Sequence, residues 1–227
     1  MATQEPFGLG AVGKKRWARA QSHEAGFWQQ QGIMDDQRRR VASRYEDVVR
    51  KLAASAPGDS CVLEVGCGPT CAARVFPGAS TVFLDPLMRV YRPRVTPGTS
   101  GAFVCAVGER LPFADSQFDF TFSFNVLDHV LSPTRFIAEL RRVTRPGGRI
   151  AVGVYTHPRL FAVLRNAIDR LLPVFGEDAH PYFLSRESLV AMLRSQALRV
   201  DQLLCVHASA SRPSLHRQDW VAISSRV

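Results

Sequence analysis

Apolar positions along this chain fall into two patterns. In DDQRRRVASRYEDVVRKL, residues 35–52, Val41, Tyr45, Val48, Val49 and Leu52 recur every three or four positions. That spacing predicts an amphipathic helix, with Asp35 or Asp36 as its cap. Ala56-Pro-Gly-Asp59 then reads as a turn. Beyond it the apolar residues come in short dense runs: CVLEV at 61–65, TVFLD at 81–85, AFVCAV at 102–107, FDFTFSF at 118–124 and RIAVGVY at 149–155. Runs of this kind are what parallel strands need when both faces of the sheet are covered. Helix signals separate them. Ser132 caps a helix with Pro133 at its first position, Phe136, Ile137, Leu140 and Val143 as its buried stripe, and Arg145-Pro-Gly-Gly148 as its stop. A second helix starts near Ser185, with Leu189, Val190 and Leu193 facing inward, and two late strands follow near 199–206 and 217–224. The reading is one α/β unit at 58–227, a doubly wound, mostly parallel sheet of seven strands with helices on both faces. A helical cap at 1–57 precedes it.

Composition narrows the class. At 227 residues and 46% hydrophobic content the chain can bury a core of its own. No apolar run approaches the roughly 20 residues of a membrane span, and MATQEPFGLGAVGKKRWARA lacks the apolar stretch of a secretory signal. Five cysteines, at 61, 67, 71, 105 and 205, form no repeated pair at zinc-ligand spacing. They read as reduced thiols of a cytoplasmic protein. The net charge is +9, and only Lys14, Lys15 and Lys51 of the 29 basic residues are lysines. No basic run is interleaved with aromatic residues as a nucleic-acid stacking platform would be. The charge reads as solvated surface, which makes nucleic acid an unlikely partner.

The candidate chemistry lies where the first strand ends. CVLEV is followed at once by Gly66-Cys-Gly68, two residues without a Cβ at the carboxyl edge of the sheet. A ligand can approach such backbone closely. Asp85 ends the second strand 19 residues after Gly66, the position from which a carboxylate accepts bonds from both ribose hydroxyls. The third glycine of a dinucleotide fingerprint is missing, because position 71 is cysteine. Glu64 sits inside the strand, where a carboxylate is costly unless paired. Either a cationic ligand or hydrogen bonds that organise the loop would account for it. A nucleoside with a charged amino-acid tail and no phosphate, such as S-adenosylmethionine, suits the pattern.

Several blocks, in order over about 61–155, carry a resemblance. They are Glu64-Val-Gly66-Cys-Gly68, Leu84-Asp85-Pro86, Gly108-Glu-Arg-Leu-Pro-Phe113 with Asp115-Ser-Gln-Phe-Asp119, Asn125-Val-Leu-Asp-His-Val130 and Leu140-Arg-Arg-Val-Thr-Arg-Pro-Gly-Gly148. Together they resemble class I S-adenosylmethionine-dependent methyltransferases, in the branch that includes the ubiquinone and menaquinone methyltransferases. The resemblance implies a Rossmann-like fold and S-adenosyl-L-methionine as cofactor, leaving S-adenosyl-L-homocysteine as product. It places Gly66 and Gly68 at the methionine end, Glu64 in support of the loop and the ammonium, and Asp85 on the ribose. Gly108 and Glu109 fall beside the adenine and Asn125 near the methionine portion. Many relatives carry an acid two residues before the position of Glu109; here it is Val107.

A hydroxyl acceptor also needs a base. His129, just past the fourth strand, is the first candidate. Its neighbour Asp128 either orients the imidazole or binds a divalent ion; no set of metal ligands is assigned. Adjacent side chains on a helix point apart, which would keep Asp128 and His129 from one substrate. His157, after the fifth strand, and His180, before the helix at Ser185, are candidate acceptor contacts. With no added recognition domain the chain suits a small-molecule acceptor, first a sugar or natural-product hydroxyl, then a quinone or lipid carbon. RNA methylation and a non-catalytic, cofactor-binding partner subunit are the remaining alternatives.

Overall fold

The computed structural model describes residues 11–29, 43–171, 180–208 and 218–227. Helix α1 spans Lys14–Gln29. The expected helix at 35–52 is seen as α2, residues 43–53, and its cap at Asp35 or Asp36 lies outside the described residues. Strands β1 (Cys61–Val65), β2 (Ser80–Leu84), β3 (Ala102–Val104), β4 (Phe118–Phe124) and β5 (Thr144–Thr156) follow, with α3 (Met88–Tyr91) and α4 (Pro133–Val143) among them. Helices α5 (Arg159–Leu171) and α6 (Arg186–Ser195) and strands β6 (Leu198–Ala208) and β7 (Gln218–Arg226) complete the order.

The sheet order is β3-β2-β1-β4-β5-β7-β6. Strands β1 to β5 are parallel, and β7 runs antiparallel to both of its neighbours. The expected seven-stranded, mostly parallel sheet is therefore observed. Chain order reverses between β1 and β4, which opens a crevice at their carboxyl ends.

Alternation along the strands sends side chains into two cores. On one face Leu63, Val65, Ile150 and Val152 meet Phe136, Ile137 and Leu140 of α4 and Leu189, Met192 and Leu193 of α6. On the other, Val62, Phe83, Phe120, Phe122 and Phe124 meet Tyr45, Val48, Val49 and Leu52 of α2. Each such side chain contributes about 1.5–3 kcal/mol when withdrawn from water. Tyr45 stacks on Phe124 with ring centroids 4.6 Å apart, and its hydroxyl donates to Asp219 on β7 at 2.8 Å.

Caps behave as the sequence indicates. Ser132 Oγ accepts from Arg135 N–H at the start of α4, and Ser185 forms a reciprocal capping box with Ser188 at α6. Two details differ. The expected stop at Arg145–Gly148 is a bulge within β5, where pairing slips from Phe118–Thr144 to Phe120–Arg149 and Gly147 takes φ +77°. The link from β1 to β2 holds only a short 3-10 turn, Ala72–Val75.

Arg142, in the last turn of α4, staples the loop between β3 and β4. Its guanidinium donates to Glu139, Asp115 and the carbonyls of Leu111 and Phe113. Arg142→Ala is expected to lower stability by about 1–2 kcal/mol, since water replaces only part of this set. Chemical denaturation would measure it, and an unchanged midpoint would show that the loop holds without the staple.

Candidate functional site

The glycine loop owes its shape to two buried carboxylates. Gly66 has φ +73°, and a Cβ there would lie 2.2 Å from Val126 Cγ2, so only glycine fits. The amides of Gly66 and Cys67 both donate to Leu84 O, folding the loop back over β2. Glu64 Oε1 accepts from Ala72 N–H at 3.1 Å and Oε2 from Ala73 N–H at 2.8 Å. Of the two explanations left open for this acid, the structure shows the loop-organising one; Glu64 does not line the cleft. Burial pushes its carboxyl up to about 7 against those two amide bonds.

Asp85 is tied to the same loop. Its Oδ2 accepts from Gly68 N–H at 3.0 Å and its Oδ1 from Leu87 N–H at 2.8 Å. Each oxygen keeps a further lone pair for a ligand hydroxyl. Burial raises this carboxyl to about 6, and the Leu87 and Gly68 amides pull against that rise.

Both glycines and Asp85 line a cleft at the switch point, where open α/β sheets bind their ligands. Gly108, Glu109, Asn125 and His129 line it too. A Cβ on Gly108 would lie 2.2 Å from Phe136 Cε2, so glycine there lets α4 pack under the cleft. Glu109 Oε1 accepts from the amides of Leu131 and Ser132 and anchors the segment leading into α4. Asn125 stands at φ +58° with its amide donating to Gly153 O, and its buried Oδ1 has no hydrogen-bond partner among the described residues.

Helix α1 forms one wall through Trp17, Gln21, Glu24 and Trp28. Arg16 pairs with the buried Asp169 of α5 at 3.1 Å, and Gln21 Nε2 donates to His129 O at 3.4 Å, which fastens the helix there. None of these four residues is among the candidates drawn from the sequence above. A signal existed: positions 17, 21, 24 and 28 form one helical stripe of aromatic and polar residues, a face unsuited to an ordinary apolar core.

Beside the cleft lies a second group. Asp128, His129 and His180 converge, with His180 Nδ1 3.1 Å from Asp128 Oδ2 and His129 Nε2 3.8 Å from Asp128 Oδ1. The two imidazole centroids are 4.6 Å apart. Asp128 and His129 sit in a turn, where side chains of consecutive residues can meet. Although burial alone would raise it, the Asp128 carboxyl is held down at about 2 by the two histidines. His157 is elsewhere: its ring packs against Phe161 and Phe183, and it does not line the cleft.

Comparison with known proteins places this geometry. Residues 63–152 match the family model described as "Methyltransferase domain". A protein of Mycolicibacterium gilvum named "Uncharacterized methyltransferase" is 40% identical over 116 residues, 49% of this chain and 45% of that one. One of Mycobacterium marinum with the same name is 39% identical over 124 residues, 51% and 48% of the two chains. The chain thus spans about half the length of the curated relatives it matches. Among solved structures, a SAM-dependent methyltransferase from Methanosarcina mazei superposes with TM-score 0.60 at 20% identity, over 78% of this chain and 97% of that one. Geranyl diphosphate C-methyltransferase from Streptomyces coelicolor A3(2), solved with Mg2+, geranyl diphosphate and S-adenosyl-L-homocysteine, gives 0.59 at 13%, over 83% and 80%. These two show the fold.

Proposed function

From a chain that carries a class I S-adenosylmethionine-dependent methyltransferase domain, we propose an enzyme that methylates a hydroxyl of a small molecule, a sugar or natural product. One observation carries the reading: His129 belongs both to the wall of the cleft that Asp85 and the glycine loop line and to the imidazole–carboxylate cluster beside it. A donor site and a proton-handling group thus share a boundary.

The residues present suit the cofactor. Asp85 offers two oxygens for ribose hydroxyls, Gly68 leaves room at the loop, and the orphaned Asn125 Oδ1 is an acceptor suited to an ammonium. A dinucleotide suits them poorly. Its pyrophosphate needs free amides at a helix start after β1, whereas the turn there is only four residues long and its Ala72 and Ala73 amides are taken by Glu64. When bound, S-adenosylmethionine supplies an electrophilic methyl carbon on a positively charged sulfur. The chain's part is to hold the acceptor in line, exclude water and handle the hydroxyl proton. The α1 wall serves exclusion, and Asp128, His129 and His180 serve the proton.

Calorimetry should show S-adenosylmethionine binding near micromolar Kd, about −8 kcal/mol, with NAD binding negligibly. Purified protein should then move label from the cofactor to a member of a panel of sugars, phenols, lipids and RNA. Tight NAD binding without S-adenosylmethionine binding would overturn the donor assignment. Label moving only to RNA, and falling steeply with salt, would overturn the acceptor class.

A further inference from the structure

We propose that Asp128, His129 and His180 ligate a first-row divalent metal ion of the zinc type. The three side chains offer one nitrogen or oxygen each, and these atoms all lie within 4.8 Å of one another. Ligand atoms bound to zinc at its usual ~2.0–2.1 Å stand about 3.3 Å apart around a tetrahedral ion. His180 Nδ1 lies 3.1 Å from Asp128 Oδ2 and His129 Nε2 3.8 Å from Asp128 Oδ1, and the 4.8 Å span of the set leaves inward shifts of at most about 1.5 Å, which side-chain rotation can supply. Two imidazoles with one carboxylate form a donor set for zinc, iron, cobalt or nickel rather than for magnesium or calcium, which favour all-oxygen shells.

A second observation points the same way. Asp128 is 4% exposed, and its buried Oδ1 has no hydrogen-bond partner among the described residues. A buried ionised oxygen without a donor is costly, and a cation on that side of the carboxylate would offset the cost. His129 and His180 already turn ring nitrogens toward the same carboxylate. The three ligands found among the described residues leave a fourth position for substrate, as in metal sites that act on substrates rather than brace the fold. Where the methyl-acceptor reading holds, that position receives the acceptor oxygen. The ion would then make its hydroxyl more acidic, so that the proton is lost to water as the acceptor binds, and the three side chains would serve that proton as ligands of the ion rather than as bases. Ion binding itself does not depend on that reading.

The test uses the full chain with the exposed Cys105 and Cys205 replaced by serine, so that surface thiols do not compete for metal. After chelator dialysis, Zn2+ is titrated against a chromophoric competitor, and Co2+ is added separately to read coordination from its visible spectrum. The expected result is one ion per chain, a Co2+ spectrum of four- or five-coordinate intensity, and a thermal midpoint that rises with Zn2+. In His180→Ala, affinity should fall at least ~100-fold and the Co2+ bands should vanish, while far-ultraviolet dichroism and S-adenosylmethionine affinity stay parental. Asp128→Asn should behave likewise. No stoichiometric binding up to about 100 µM Zn2+, a free energy of only ~−5.5 kcal/mol, would overturn the site. So would parental binding in His180→Ala. Methyl transfer persisting in metal-free protein would overturn the ion's catalytic use and leave the donor and acceptor assignments standing.

Discussion

His129→Ala is expected to lower methyl-transfer turnover by ~10²–10⁴-fold, the range for losing a positioned proton-handling group. Its affinity for S-adenosylmethionine should stay close to parental. The asymmetry follows from position. The imidazole contributes one wall of the cleft, but the backbone that carries it is held independently, by its amide bond to Val126 O and by Gln21 on its carbonyl. Truncation therefore leaves the loop in place and removes only the ring that faces Asp128. His180→Ala should fall in the same direction, because both rings address one carboxylate. His157→Ala should leave turnover near parental, since that ring packs on Phe161 and Phe183 away from the cleft. Stopped-turnover assays with the identified acceptor separate the cases. If His129→Ala kept most of its rate, alignment alone would be sufficient. That outcome suits an acidic phenol or a carbon nucleophile and would sink the proton-handling role of His129.

Asp85 should dominate donor affinity. Asp85→Ala removes the proposed ribose acceptor and the anchor for the Gly68 and Leu87 amides together. Bonds to a charged group contribute about 1.5–3 kcal/mol each, so S-adenosylmethionine should bind at least ~10-fold more weakly. The same residue should set a pH dependence. With its carboxyl at about 6 in the free protein, Asp85 is ionised and a full acceptor well above that pH. As pH falls through 6 it protonates and affinity declines, approaching tenfold per unit. Glu24 pushes the group up and His129 pulls it down, so both must be intact in the comparison. Calorimetry between pH 5 and 8 should show the step in the parent and not in Asp85→Asn. A parental step in that variant would assign the titration elsewhere. Fold stability runs the other way. The folded carboxyl is raised from 3.8 to about 6, so its contribution is complete below about 3.8 and is lost as pH climbs toward 6. Melting and binding profiles should therefore slope in opposite directions across that window.

Much of the fold was legible because its determinants are local. A run such as FDFTFSF declares a strand within seven residues, and Ser132-Pro133 declares a helix start within two. The spacing from Gly66 to Asp85 spans one β–loop–β unit, so it too could be read along the chain. Local signals also misled where geometry was settled by pairing. Arg145–Gly148 has the composition of a helix stop and a turn, yet β4 draws the segment into a bulged strand. AFVCAV is an unbroken run of six apolar residues, but as edge strand β3 only Ala102–Val104 pair, with β2 alone. The four-residue α3 is too short to show a period, whereas α5 has one in Leu160, Leu164, Ile168 and Leu171, on a face the structure leaves exposed.

The chain's own order of residues determined the parallel sheet, the glycine loop and the place of Asp85 at the end of β2, because hydrophobic period, backbone freedom and capping act over a turn or a strand. Tertiary structure alone decided what each charged group meets. It gave Glu64 to the Ala72 and Ala73 amides, Glu109 to Leu131 and Ser132, and His180 to Asp128 across 52 residues. It also laid the Trp17–Trp28 stripe of α1 on the cleft and left His157 outside it. Such pairings depend on which strand lies beside which and how far each loop reaches. Burial then makes them decisive, because a carboxylate or imidazole withdrawn from water must find its partner in whatever the fold brings near.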